Sequence, residues 1–219
     1  FNKVTMNHLD IRASLRSLFF ATVSAVFTCV SCGRQEGFTA EELEIINSAD
    51  SIMRVLTIED AADSAVLRAK SADLPLPALT SAEYKRLEQL MIATVTHPSQ
   101  DGVGIAGPQV GLNRRVVAVQ RFDKSGHPFE VYPNIRIVWA SDSLSLGPEG
   151  CLSVPGRRGE VMRSREIVIE YADMNAIRNS CQERHGDIPM ARDTVRGFTA
   201  VIFQHETDHL DGTLYIDRL

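Results

Sequence analysis

The segment Phe198 to Gly212 reads FTAVIFQHETDHLDG, and its His205-Glu206-Thr207-Asp208-His209 core restricts the fold more than any other part of the chain. Side chains four apart lie on one face of a helix, one turn along its axis, so both imidazoles converge on a single ion. The same face continues back through Phe198, Val201 and Ile202, so the ligand face is also the core-facing face. A helix of this kind, predicted from about Thr194 to Leu210 with Gly212 as its stop, has to be wrapped by other elements. Glu206 stands next to the ion, where it can take a proton from a water held there. Histidines on an apolar face are also met as ordinary core residues, so HExxH by itself leaves metal binding open until a third ligand is found.

The rest of the chain supplies short elements. Thr80 and Glu83 have capping-box spacing, Leu79 and Tyr84 have staple spacing, and Tyr84, Leu87, Leu90, Met91 and Val95 recur at helical intervals. This predicts a helix from Thr80 that His97-Pro98 stops. The Leu74-Pro75-Leu76-Pro77 stretch reads as non-helical and separates that helix from an N-terminal arm. Gly102 to Gly107 reads as a glycine-rich loop, and Arg115–Arg121, Phe129–Val138 (kinked at Pro133) and Glu166–Tyr171 read as strands. Asp173 to Arg196 reads as a polar loop. Regular strand–helix alternation is missing, which argues α+β.

Length and charge narrow the function classes. A chain of 219 residues suffices for one substantial core. With 23 Lys+Arg against 28 Asp+Glu the net charge is −5, so phosphate backbones are not attracted and no directly bound nucleic acid is expected. Cysteines at 29, 32, 151 and 181 are too few and too uneven for a disulfide framework.

The N-terminus reads as a targeting segment. Arg12 and Arg16 precede an uncharged apolar run from Ser17 to Gly33. It is short for a membrane span of about 20 residues and longer than a signal core of about 7–15. Val30-Ser31-Cys32-Gly33 resembles the cleavage box of bacterial lipoproteins, in which the cysteine is lipidated, although Cys29 stands where leucine is commoner. On that reading residues 1–31 are a leader, Cys32 carries the lipid, and the protein is attached to a membrane of the bacterial cell envelope. The alternatives are an uncleaved apolar helix, or a start at Met6 or Met53 that leaves the protein cytoplasmic. Residues 32–50 read as a polar tether or short exposed helix whose Glu41, Glu42 and Glu44 form a solvated face, and 51–219 as the catalytic domain.

No histidine follows His209, so a third ligand has to come from elsewhere. Cys151, within Glu149-Gly150-Cys151-Leu152-Ser153, is the candidate: a thiolate plus two imidazoles leaves a fourth tetrahedral position open. Alone, such a cysteine is more often a small buried hydrophobe than a ligand.

Taken together, GVGIAGPQ (Gly102 to Gln109), EGCLS (Glu149 to Ser153) and QHETDHLDG (Gln204 to Gly212) resemble, in order and separation, the three motifs of peptide deformylases. The similarity spans roughly Val55 to Leu219. It implies an α+β fold with antiparallel sheets around a central metal-binding helix, and a hydrolase that removes the N-formyl group from the initiator methionine of new bacterial polypeptides. The resemblance makes Cys151, His205 and His209 ligands of one divalent ion, commonly Fe²⁺ and replaceable by Zn²⁺ or Ni²⁺. It makes Glu206 the general base and then acid, and Gln109 with the Leu152 backbone N–H the donors to the developing oxyanion. Gly104 would present its backbone to the peptide, Val103, Phe198, Val201 and Ile202 would line the methionine pocket, and Glu149 and Arg158 would form a supporting ion pair. A formyl-methionyl peptide is the implied partner, and a monomer the default assembly.

Gly107 stands where the family usually has alanine, and the 173–205 stretch is longer than in most members. The latter reads as an inserted exposed loop, although it holds Cys181 and His185. Two other functions stay open on the sequence: an HExxH zinc peptidase, and a lipid-anchored metal-binding relative without turnover.

Overall fold

The computed structural model describes residues 37–179 and 187–219. The leader, Cys32, Cys181 and His185 lie outside the described residues.

The first helix, α1 (Ala40–Ser48), occupies the segment read as a tether. Thr39 caps it in a reciprocal capping box with Glu42. Ile46 is fully buried in the main core, and Glu42 accepts from the buried Arg114 at 2.6 and 3.0 Å. One face of the acidic cluster is therefore committed to the domain rather than to solvent. Next come α2 (Ala61–Leu67), capped by Asp60, and the short α3 (Leu76–Leu79). Pro77 lies in the first turn of α3, where a missing N–H costs nothing, so the Pro-rich stretch does contain a helical turn.

The helix predicted from Thr80 is α4 (Ala82–Val95), capped one residue later by Ser81, whose hydroxyl accepts from Tyr84 N at 3.1 Å. Thr80 is unavailable as a cap because its hydroxyl closes α3 by donating to Leu76 O. Tyr84, Leu87, Leu90, Met91 and Val95 are all buried, as their spacing requires.

Strands β1 (Gly104–Ala106), β2 (Val116–Gln120) and β3 (Phe129–Pro133) form an antiparallel sheet in the order β1-β2-β3. Its central strand is buried on both faces: Val116 and Ala118 join the core under α4, while Val117 and Val119 join a second core on the other side. The expected strand Phe129–Val138 is cut at Asn134, which takes the left-handed conformation (φ 54°) and exchanges hydrogen bonds with Leu74 N and O. Beyond it β4 (Arg136–Ala140) enters a different sheet.

After β4 the chain forms a long antiparallel hairpin, β5 (Leu144–Cys151) and β6 (Val154–Ser164), then β7 (Glu166–Ala172) and α5 (Met174–Asn179). Strand β8 (Met190–Arg196) pairs with β7 along its full length, in a second sheet ordered β4-β7-β8. The supposed polar loop therefore ends in a strand. Only Val195 of β8 is buried, so its residues show no apolar alternation that would announce it.

Helix α6 (Gly197–Leu210) starts at Gly197 rather than near Thr194, because Thr194 to Arg196 are still paired with β7. Gly197 (φ 63°) makes the strand-to-helix turn, and Gly212 (φ 72°) ends the helix against the Arg68 carbonyl, where no Cβ fits. Ala200, Ile202, Phe203 and Leu210 pack against Val117 and Val119 from one sheet and Ile167, Ile169 and Val195 from the other. The HExxH helix is thus wrapped by antiparallel sheets. Its N-terminal half is braced by the buried Arg121, which donates to Asp123, Asp193 and Tyr132 and lies over the Phe203 ring. No helix among the described residues is long and apolar enough to cross a membrane.

Candidate metal centre

The end of the β5–β6 hairpin brings Cys151 to α6. Its Sγ lies 3.3 Å from His209 Nε2, and the donor atoms of Cys151, His205 and His209 all fall within 4.8 Å of one another. A tetrahedral ion with bonds of about 2.0–2.3 Å keeps its ligand atoms roughly 3.5 Å apart, so this soft thiolate–imidazole set fits one divalent cation.

Each ring is aimed by what surrounds it. His205 Nδ1 donates to Glu149 Oε2 at 2.8 Å, which leaves Nε2 for the cluster. Burial works against charge on His205, but hydrogen bonds to Cys151 and Glu149 hold its pKa up at about 10. A cation entering this anionic surround replaces that proton. His209 is buried, and burial with the nearby His205 drives its pKa well down, so it stands as a neutral imidazole.

Glu206 is 4% exposed, its Oε2 has no hydrogen-bond partner, and burial raises its pKa to about 7. It packs directly against Gly104, where a Cβ would land on the carboxylate. A buried carboxyl poised near neutrality beside three ligand atoms can accept and return a proton.

Gln109 sits in the 3-10 turn Gly107–Val110, and its Oε1 accepts from Ala106 N at 2.9 Å. This fixes the amide so that Nε2 points to Ser153 Oγ (3.2 Å) and Cys151 Sγ (3.6 Å). The turn is tight: a Cβ on Gly107 would meet the carbonyls of Leu112 and Arg114 at 2.7 and 2.6 Å. Glycine at this position is therefore matched by close backbone packing rather than by a loose loop.

These groups open onto a cleft of about 830 Å³. Val103, Gly104, Gln109, Cys151, Leu152, Phe198, Val201, Ile202, His205 and Glu206 all line it, so nearly every residue singled out in the sequence is gathered there. Phe198 is half exposed and meets Phe122 in a tilted ring contact at 5.2 Å.

The supporting ion pair differs from expectation. Glu149 is held by Arg163, through Nε at 2.7 Å and Nη2 at 3.0 Å, and not by Arg158. In the hairpin Glu149 faces Gly159, so Arg158 points to the opposite side of the ribbon, while Arg163, four residues beyond Gly159, shares the face of Glu149. Burial opposes ionisation of Glu149, yet Arg163 and His205 hold its pKa down at about 2. Arg163 also donates to Asp208 at 2.6 Å, and Asp208 accepts from Arg218. Arg163 and Tyr215, whose ring stacks on His205, lie outside the sequence motifs, while Asp208 and Ser153 lie inside them with no role that the sequence assigns.

A family model described as "Polypeptide deformylase" matches residues 52–219. A peptide deformylase of Leptospira biflexa is 35% identical over 161 residues, covering 70% of this chain and 82% of that protein. "Peptide deformylase 2" of a Nostoc species is 42% identical over 144 residues, covering 63% and 73%. Among solved structures, an actinonin-bound class I type b peptide deformylase from Acinetobacter baumannii superposes with a TM-score of 0.63 at 31% identity, over 78% of this chain and 99% of that one. The Thermotoga maritima enzyme gives 0.63 at 28% identity, again over 78% and 99%. With both cores, the wrapped α6 and the Cys151–His205–His209 triad in place, the chain belongs to the polypeptide deformylase family.

Proposed function

We propose that this protein hydrolyses the N-formyl group from peptides that begin with formyl-methionine. The observation that carries the reading is the convergence of Cys151, His205 and His209 beside a buried Glu206 whose carboxylate is otherwise unpartnered. A relative bound to Met-Ala-Ser, 30% identical over 77% of this chain, is in keeping with a methionyl peptide in the cleft.

Cys151, His205 and His209 would hold a divalent cation, which would supply Lewis acidity to the hydrolysis. We take it to be Fe²⁺, replaceable by Zn²⁺ or Ni²⁺, since a thiolate and two imidazoles suit each of these ions. The remaining work belongs to the chain. Gly104 lets the peptide backbone approach Glu206, and Val103, Phe198, Val201 and Ile202 take the methionine side chain. Glu206 accepts a proton from water as the new C–O bond forms. Gln109 Nε2 and the Leu152 N–H donate to the oxygen that gains charge, a contribution of about 10²–10³ in rate per donor. Glu206 then returns its proton to the nitrogen as the C–N bond breaks, which yields formate and a free methionyl amine.

Formate release from formyl-Met-Ala-Ser, assayed anaerobically with Fe²⁺ or Ni²⁺, tests the reading. Turnover is expected in the wild type and a loss of about 10²–10⁴-fold in Glu206→Gln at unchanged metal content. Activity that survives the substitution refutes the assigned base. Cleavage of internal bonds in unblocked peptides points instead to a peptidase, and stoichiometric metal without turnover to a binding protein.

A further inference from the structure

The N-terminal half of β6 carries two exposed arginines into the wall of the cleft. Arg157 and Arg158 both line it, on the same hairpin that presents Cys151 and Leu152. Among the described residues, every other arginine donates to a carboxylate or to a backbone carbonyl. Arg157 and Arg158 donate to neither. Three acidic groups share the cleft, but Glu149 is taken by Arg163 and His205, and Asp101 and Glu206 pair with neither arginine. The planar donor fork of an unpaired guanidinium matches a carboxylate.

We infer that Arg157 and Arg158 form a carboxylate-recognition pair that selects peptides bearing a negative group two or three residues beyond the formylated methionine. The inference rests on the deformylase reading above. With the formyl group at Cys151 and Glu206, an extended peptide advancing about 3.3 Å per residue along this wall of the cleft would bring its second and third residues after methionine to the long side chains of β6. The carboxylate can come from an acidic side chain, or from the C-terminus of a short free peptide. A long chain still being synthesised offers only the first of these.

Three substrates separate the sources: formyl-Met-Ala-Glu-amide, formyl-Met-Ala-Gln-amide and formyl-Met-Ala-Gln with a free C-terminus. For the wild type at low salt, kcat/KM is expected to be about fivefold higher for a carboxylate-bearing peptide than for the uncharged one. The advantage shrinks as salt is raised. In Arg157→Gln/Arg158→Gln the ratio collapses towards unity, and in Arg157→Glu/Arg158→Glu it inverts. Each ratio is measured within one protein, so a general loss of activity does not mimic the effect. An advantage confined to one acidic peptide supports the inference and identifies the source of the carboxylate. Equal kcat/KM for all three in the wild type, or a ratio unmoved by either double substitution, overturns it while leaving the deformylase reading intact. No formate from any of the three overturns both.

Discussion

Glu149 Oε2 lies 2.8 Å from His205 Nδ1, and the same carboxylate takes two hydrogen bonds from Arg163. This carboxylate joins the hairpin that presents Cys151 to the helix that presents the histidines. Through Arg163 the contact extends to Asp208, inside the HETDH segment, and on to Arg218. The triad is held by a charged network that joins β5, β6, α6 and the C-terminal turn Tyr215–Arg218, so the position of His205 does not depend on α6 alone.

Arg163→Met removes the centre of that network and leaves Glu149 with His205 alone and Asp208 with Arg218 alone. Arg163 is 4% exposed, so the loss is expected to cost about 3–5 kcal/mol. Urea unfolding measures it, and metal content of the purified variant should fall as well. A variant as stable and as metal-loaded as the wild type would show that the network is dispensable.

Gly104→Ala places a methyl group on the Glu206 carboxylate. The side chain has to move, and misplacement by about 1 Å is enough to lower kcat on the order of 10²-fold. Thermal stability should change little, because β1 keeps its pairing with β2. Wild-type kcat in this variant would mean that Glu206 works from a different position.

Acid stability can be followed at Asp123, far from the triad. The hydrogen bond from Arg121 is the largest influence on its carboxyl and holds the pKa below the usual 3.8. A depressed folded-state pKa means that the stabilisation is complete above the unfolded-state value and is lost as pH falls through the folded one. Asp123 is exposed, so solvent screening limits the cost of Asp123→Asn to about 0.5–1 kcal/mol at pH 7 and at about pH 5, with the gap to wild type closing below about pH 4. Denaturation midpoints at several pH values check this. A gap that stays constant down to about pH 2 assigns the effect to packing.

Much of the site could be read along the chain because its chemistry is local. His205 and His209 meet through helical periodicity, Glu206 lies between them, and the apolar positions before them mark the buried face. Cys151 and Gln109 were reachable through the short motifs around them. Their meeting with the helix is a tertiary event, produced by the hairpin turn at one end and the 3-10 turn at the other.

Where expectation and structure part, the cause is long-range pairing. Asn134 sends one apolar run into two sheets, and β8 is a strand because β7 supplies its partner, not because its side chains alternate. The Glu149–Arg163 pair follows from the register of β5 against β6, which a shift of one residue would replace with Arg158. Local patterning determined the metal-binding helix, the core face of α4 and the identity of the ligands. The turn at Asn134 decided how one apolar run is shared between two sheets, and the register of β5 against β6 decided which arginine holds Glu149 beside His205, because hydrogen bonds between distant segments, unlike helical spacing, leave no periodic trace in the order of residues.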